Sequence, residues 1–275
     1  MAKAISLIPE QRRQQILQHL RAQRVLSYRE ITELLGVSHM TARRDVAALA
    51  DEGKVQVTQG GVLAVTKLLE EPRRSVKEGV DLPAKAAIAR RAAELVTDSM
   101  TIYLDAGTTV QAMCPYLQNR KDLTIVSNDL VTASAFLEHP GVDLICVGGR
   151  VDRDNQSMIG RLAALTLAEL SLDLAFLSSS SWDMRHGVTT PVEAKIDPKR
   201  AAMASAEKTV LLADSSKFGR YAKYRVLALD ELDLVISDSD LTETAARQIQ
   251  GLGIDAVRAS MKFSNTATED KPDTN

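Results

Sequence analysis

The chain has 275 residues, of which 45% are hydrophobic, with 34 lysines and arginines against 36 aspartates and glutamates and a net charge of −2. That length can bury a substantial core, as one large domain or two smaller ones, and the near-neutral total excludes a protein that binds nucleic acid through bulk charge. Cys114 and Cys146, far apart, exclude a disulfide framework. The charge is uneven, however: residues 1–67 are net basic and the remainder is net acidic, which suggests a local anionic partner. The opening MAKAISLIPEQRRQ lacks the apolar core of a signal peptide, and no apolar run reaches the ~18 residues of a membrane span. The expectation is a cytoplasmic protein with no membrane contact.

In chain order, Pro9–Gln23 carries Ile16, Leu17 and Leu20 at helical spacing, with Pro9 suited to a first turn. Ser27 and Glu30 form a capping-box signature for a second helix, which Gly36 ends. Ser38 caps a third, with Ala42, Val46 and Leu49 on one face and Gly53 at its close. Two alternating stretches, Lys54–Thr58 and Val62–Val65, flank Gln59-Gly60-Gly61 and read as a small hairpin. Residues 66–84 break the pattern and read as a linker, with a helical piece near Thr66–Glu71. A helix over Lys85–Val96 then opens an alternation of helical segments with short apolar runs: Thr101–Asp105, Leu123–Ser127, Asp143–Val147, Leu174–Ser178, Thr209–Ala213 and Leu234–Ser237. Such alternation implies a largely parallel sheet covered on both faces. The polar residues 263–275 are expected to form a disordered tail. The domains expected are therefore 1–65, a linker at 66–84, and an α/β domain at 85–262.

Two short helices joined through Gly36-Val37 make a helix-turn-helix, and the hairpin supplies a wing. The second helix of such a pair enters the major groove of DNA with its N-terminal residues at base edges. This accounts for the composition of GVSHMTARRD, where a core helix would have no use for adjacent arginines. Ser38, His39, Thr41, Arg43 and Arg44 project from its first two turns. Ser and Thr hydroxyls can donate to phosphate, and an arginine can donate two hydrogen bonds to guanine O6 and N7. Lys54 and Gln59 on the wing could reach a neighbouring phosphate or the minor groove.

In open parallel sheets ligands bind beyond the carboxyl ends of the strands. Asp105 stands at such an end and could accept from ligand hydroxyls. Gly107 permits close approach, and Gly107, Thr108 and Thr109 open a helix there. Ser127 and Asn128 follow the next strand, though they would serve equally as caps for a helix beginning at Asp129. Gly148 and Gly149 follow the third, where a simple turn is the alternative, and Lys217 follows Thr209–Ala213. A parallel sheet would gather these groups in one crevice.

The N-terminal stretch resembles the DNA-binding domain of the DeoR family of bacterial transcriptional regulators, in its P-x-x-R-x-x-x-I-L opening, its VS-x-x-T-x-RRD helix and the Gly-Gly of its wing. It departs at Ala42, where the family carries a larger aliphatic residue, and at Gln59, where a basic residue or His is more usual. The second half resembles the DeoR-family sensor domain from about Lys85 to Asp240, through DAGTT, SND, GGR, GVTTP-x-EA and ADSSKFGR. The resemblance implies an α/β sensor domain like ribose-5-phosphate isomerases and CoA-transferases, with a small N-terminal winged helix-turn-helix domain. It implies a DNA operator as partner, a phosphorylated-sugar effector, a homo-oligomer and no cofactor. Asp105, Gly107, Thr108, Thr109, Asn128, Gly149, Glu193 and Lys217 carry over as pocket positions.

Where the family has a glycine-rich segment, this chain has SSSSWDMRHG (Ser178–Gly187). Hydroxyls of Ser179–Ser181 could replace backbone donors, and Trp182 either covers the apolar face of a sugar or packs in the core. This variant resembles a subgroup associated with four-carbon acid sugars, so an acidic sugar or its phosphate fits as effector. No phosphate-binding P-loop, dinucleotide fingerprint, zinc spacing or nucleophile elbow is present. The expected function is a DNA-binding repressor of a carbohydrate or sugar-acid operon, without enzymatic activity. The alternative is an isomerase-like enzyme carrying a DNA-binding domain, with Asp105 or Glu193 as base.

Overall fold

The computed structural model describes residues 7–23, 25–57 and 60–261. Its first unit contains α1 (Pro9–Gln23), β1 (Val25–Ser27), α2 (Tyr28–Leu35), α3 (His39–Asp51), β2 (Val55–Val57) and β3 (Gly61–Ala64). The capping box forms as the sequence predicts: Ser27 Oγ accepts from Glu30 N–H, and the Glu30 carboxylate accepts from Ser27 N–H. Gly36 ends α2 in the left-handed conformation that glycine adopts without steric cost. Ile16, Leu20, Ile31, Ala42, Val46, Leu49 and Val62 make one small core. The strand β1 adds to the hairpin, giving a three-stranded antiparallel sheet in the order β1-β3-β2.

Residues 66–84, expected as a linker, contain regular structure, and the helical piece expected at Thr66–Glu71 does not form there. Strand β4 (Thr66–Leu68) follows β3 after one residue, and α4 (Arg74–Glu78) comes later. The β-branched Thr66 and a strand partner from far along the chain override the weak helical pattern. Buried Arg74 anchors the segment, donating to both oxygens of Asp129 (2.9 and 3.1 Å), to Gln111 and to Glu78.

The rest contains α5 (Leu82–Ala93), β5 (Thr101–Leu104), α6 (Thr108–Gln111), α7 (Cys114–Leu117), β6 (Leu123–Ser127), α8 (Leu130–Phe136), β7 (Val142–Cys146), β8 (Arg150–Asp152), β9 (Ser157–Ile159) and α9 (Arg161–Ala168). It continues with β10 (Leu172–Ser178), β11 (Ser181–Asp183), β12 (Gly187–Thr190), α10 (Ile196–Ala204), β13 (Ala206–Leu212), β14 (Arg220–Ala222), β15 (Tyr224–Leu227), β16 (Leu234–Asp238), α11 (Glu243–Gln250) and β17 (Asp255–Ala259). Seven strands form an all-parallel sheet in the order β17-β16-β13-β10-β5-β6-β7. Apolar clusters cover both of its faces, as buried parallel strands require.

From β5 the chain winds outward through β6 to β7, and from β10 it winds the opposite way through β13 and β16 to β17. The switch point lies between β5 and β10, where a crevice opens beyond the strand ends. Asp105 and Ser178 are the residues at those two ends. The small pair β4–β14 is parallel and lies outside the main sheet. The tail expected at 263–275 lies outside the described residues.

Candidate nucleic-acid interface and effector cleft

The buried side of α3 carries more than Ala42, Val46 and Leu49. Asp45, buried in the same face, takes two hydrogen bonds from Arg12 of α1 (2.6 and 3.1 Å), and Arg12 also donates to the Leu7 carbonyl. The hydrogen bond to Asp45 raises the Arg12 pKa further above its ordinary value. The third residue of the RRD run therefore fastens the helix to its domain. The two arginines before it are exposed.

Ser38 caps α3, its Oγ accepting from Thr41 N–H at 3.2 Å and lying 3.0 Å from Thr41 Oγ1. Both hydroxyls are thus tied to the helix start. The His39 ring sits 5.4 Å from that of Tyr28, and the Arg43 guanidinium lies 5.2 Å over the same ring, a cation–π contact that steadies its aim. Arg44, the next residue, is also exposed. Lys54 is paired with Glu52 at 2.6 Å, an exposed ion pair of little strength that a phosphate could displace. Gln59, expected at the wing tip, lies outside the described residues. The second wing glycine has a packing role, since a Cβ at Gly61 would lie 2.0 Å from the Leu26 carbonyl oxygen.

At the switch point of the main sheet a cleft of about 280 Å³ is lined by Gly107, Thr108, Thr109 and Lys217, as expected from sequence, and also by Glu71, Lys77, Lys85, Ser178–Ser180 and Arg220. Gly107 is needed there because a Cβ would meet the Ser178 side chain at 2.6 Å. Asp105 is only 1% exposed. Its carboxylate accepts from Ser178 N–H and Oγ (both 2.8 Å), from Tyr103 OH and from Lys199 Nζ. It is a clamped anion beneath the cleft rather than a free acceptor. Burial, then the Asp105 charge, push the Tyr103 phenol well above its usual range.

Several expected contacts are corrected by the geometry. Trp182 is 0% exposed and packs on Phe218 with ring centroids 4.5 Å apart, so it fills the core and cannot cover a ligand. Ser127 is fully buried, donating to the Leu104 carbonyl and accepting from Asp129 N–H, which makes it a backbone brace. Asn128 accepts from Ala106 N–H and donates to the Met158 carbonyl, fixing the loop after β5 from behind. Gly148 and Gly149 form the exposed turn between β7 and β8, outside the cleft lining. Glu193 is exposed on a short 3-10 turn, and two residues on, Lys195 faces inward instead. Of the serine run, Ser179 and Ser180 reach the cleft, while Ser181 is buried against Thr189.

Sequence reasoning missed the charged wall opposite. Lys195 (2.6 Å) and Lys77 (2.9 Å) both pair with Glu71, which also accepts from Ser180. Burial alone would raise the Glu71 pKa, but the two lysines outweigh it and hold the carboxyl at about 2. Burial pulls the Lys77 and Lys85 pKa values below the usual lysine value. One signal was present: Lys195 and Lys199 stand four residues apart on one side of α10 and the turn before it. Like charges at that spacing repel unless matched, and here Glu71 and Asp105 match them.

The two units touch. Thr66 N–H donates to the Gly219 carbonyl (3.0 Å), and Arg185 donates to the Glu52 carbonyl (3.2 Å). Among the described residues no helix is long and apolar enough to cross a membrane, and no group of His, Cys, Asp and Glu could hold a metal ion.

Residues 12–67 match the DeoR-like helix-turn-helix domain and residues 81–239 the DeoR C-terminal sensor domain. The chain is 40% identical over 243 residues to the HTH-type transcriptional regulator YgbI of Escherichia coli (strain K12), covering 88% of this chain and 95% of that protein. It is 30% identical over 229 residues to the HTH-type transcriptional repressor GlcR of Bacillus subtilis (strain 168), covering 83% and 88%. Among solved structures, ribose 5-phosphate isomerase A of Methanocaldococcus jannaschii overlaps 49% of this chain and 53% of that one, with 18% identity and a TM-score of 0.36. With both domains matched in order, and with full-length relatives that are regulators rather than enzymes, the chain belongs to the DeoR family of DNA-binding transcriptional regulators.

Proposed function

We propose that this regulator represses an operon for a carbohydrate or sugar acid, acting in the cytoplasm as a homo-oligomer on repeated DNA half-sites. A small anionic sugar derivative, a phosphate or an acid sugar, releases it. On this reading Ser38, His39, Thr41, Arg43, Arg44 and Lys54 face the duplex. Gly107, Thr108, Thr109, Lys217, Lys77, Lys85 and Arg220 surround the effector, and Asp105 holds their frame. The observation that carries it is the cleft at the switch point, where Lys77, Lys85, Lys217 and Arg220 outnumber the lining carboxylates Glu71, Asp81 and Asp214 beside two threonines, in a sheet of the sensor family.

The route to DNA is short. Lys217 and Arg220 line the cleft, and Gly219 between them is hydrogen-bonded to Thr66, two residues beyond the wing strand β3. An effector alters operator affinity only if it binds one arrangement of the domains better than another, and a difference of about 1–3 kcal/mol gives a several-fold to hundredfold response. The test is a thermal-shift screen of sugar phosphates and sugar acids, followed by operator titration with each stabilising compound. A compound that stabilises wild type, fails with Lys217→Ala and lowers operator affinity supports the reading. No stabilisation across both classes would refute it.

A further inference from the structure

Among the described residues of α3, one large apolar side chain is exposed: Met40, at 62%. A lone exposed apolar residue needs no explanation on an ordinary surface. This one stands on the first turn of the helix that such domains place in the major groove, among residues that are otherwise polar or cationic. Of the exposed positions of α3, which also include His39 and Asp51 at its two ends, Met40, Arg43, Arg44 and Ala47 stand at i, i+3, i+4 and i+7 and form a single stripe. The core side holds the complementary set Ala42, Asp45, Val46 and Leu49. The outward stripe is therefore two arginines bracketed by two apolar side chains.

The flanks differ in freedom. His39 and Arg43 rest against the Tyr28 ring. Met40 and Arg44, at i and i+4, share the other edge. Methionine is long and flexible and can follow an irregular apolar surface. The apolar feature that a DNA major groove offers is the C5 methyl of thymine, and apolar side chains read it by contact. Seven helical residues span about 10.5 Å, close to three base-pair steps of ~3.4 Å.

We infer that Met40, with Ala47 one stripe-length away, reads thymine methyl groups, so that the operator half-site carries thymines on either side of the guanines met by the arginines. This rests on the DNA-facing assignment of α3 and specifies what that face selects.

The full-length protein is used to enrich duplexes from a random-sequence pool. Each thymine of the enriched half-site is then replaced by deoxyuridine, which removes the methyl and keeps the pairing. At one position uracil should weaken wild-type binding about fourfold, the equivalent of burying one methyl group. Met40→Ala should bind the thymine duplex that much more weakly and lose nothing further with uracil. Met40→Leu should retain the methyl effect. Because Met40 is exposed, neither variant is expected to melt differently from wild type. The inference is overturned if uracil weakens wild type and Met40→Ala equally, or neither of them, at every position. Enrichment without methyl sensitivity would leave DNA binding standing and remove only this assignment, and failure to enrich any sequence would remove both.

Discussion

Adjacent residues in the RRD run serve opposite ends. Arg43 is exposed and only leans on Tyr28, so Arg43→Ala should leave unfolding within about 0.5 kcal/mol of wild type. Its loss should instead appear as relaxed sequence discrimination, by about 1–3 kcal/mol in competition titrations against mismatched duplexes. Asp45→Ala should do the reverse. It removes two charge-assisted hydrogen bonds from the part-buried Arg12 guanidinium, which keeps only the Leu7 carbonyl, a loss of about 1–3 kcal/mol. Denaturant unfolding should show that loss in the N-terminal unit. Equal stability of the two variants would contradict the division of labour. Glu71 supplies a pH test. Its folded pKa of about 2 lies below the ordinary carboxylate value, so its contribution is present above about pH 4.5 and disappears as pH falls toward 2. A tenfold difference in proton affinity between the folded and unfolded states is worth about 1.4 kcal/mol, so the wild type should lose on the order of 3 kcal/mol of stability over that window. Glu71→Gln should be less stable at neutral pH and show a shallower acid limb in urea titrations.

At the scale of elements, what was legible in the sequence is what local chemistry determines. Ser27 and Ser38 mark helix starts through side-chain caps and Gly36 marks a stop through its left-handed backbone, and α2 begins and ends, and α3 begins, where those residues predict. Six of the main-sheet strands contain a short apolar run, as parallel strands covered on both faces require, the edge strand β7 among them despite its Asp143. The seventh, β17, is a half-exposed edge strand with Asp255 and Arg258 in it and gives no such run. The misplaced helix at Thr66–Glu71 has the same origin. Strand β4 exists because Arg220–Ala222, distant in sequence, pairs with it, and α4 is held by an ion pair to Asp129. In the candidate site, Gly107, Thr108, Thr109 and Lys217 were readable because they follow strand ends directly. Glu71, Lys77 and Lys199 arrive on other elements, so their approach was visible only in three dimensions. The wing tests this dependence on packing. Gly61 pairs with Ser27 in the sheet and its missing Cβ admits the Leu26 carbonyl. Gly61→Ala must push β1 and β3 apart, because the obstructing atom is backbone. DNA binding should be lost while the sensor domain keeps its cooperative melting transition, and unimpaired operator affinity would show that the wing sheet tolerates the change.

Across the whole molecule, the decisive feature is that the segment 214–222 belongs to three environments at once. Asp214, Ser216, Lys217 and Arg220 line the cleft. Phe218 packs on Trp182 inside the core, with Gly219 N–H donating to the Trp182 carbonyl. Gly219 then meets the DNA-binding unit: its carbonyl accepts from Thr66, and the Gln56 side chain of β2 occupies the space where a Cβ would be, 2.5 Å from Oε1. Its φ of +76° is a conformation that L side chains rarely adopt. If an anionic effector draws Lys217 and Arg220 as proposed, their shift would act on a joint with little slack, and strain would reach the wing through β4 instead of dissipating in a loose tether. Gly219→Ala should loosen that joint, because Gln56 can swing away while the backbone relaxes from its left-handed conformation. The cleft residues themselves are unchanged, so effector binding by calorimetry should stay within about twofold, and operator affinity without effector should do the same. What should fall is the coupling between the two, a quantity that is reciprocal and can be measured from either side. Operator titrations with and without effector, and effector titrations with and without operator, should both show the reduction. If both retain the full wild-type ratio, the signal passes elsewhere, with the Arg185–Glu52 contact a described bridge between the units outside the 214–222 segment.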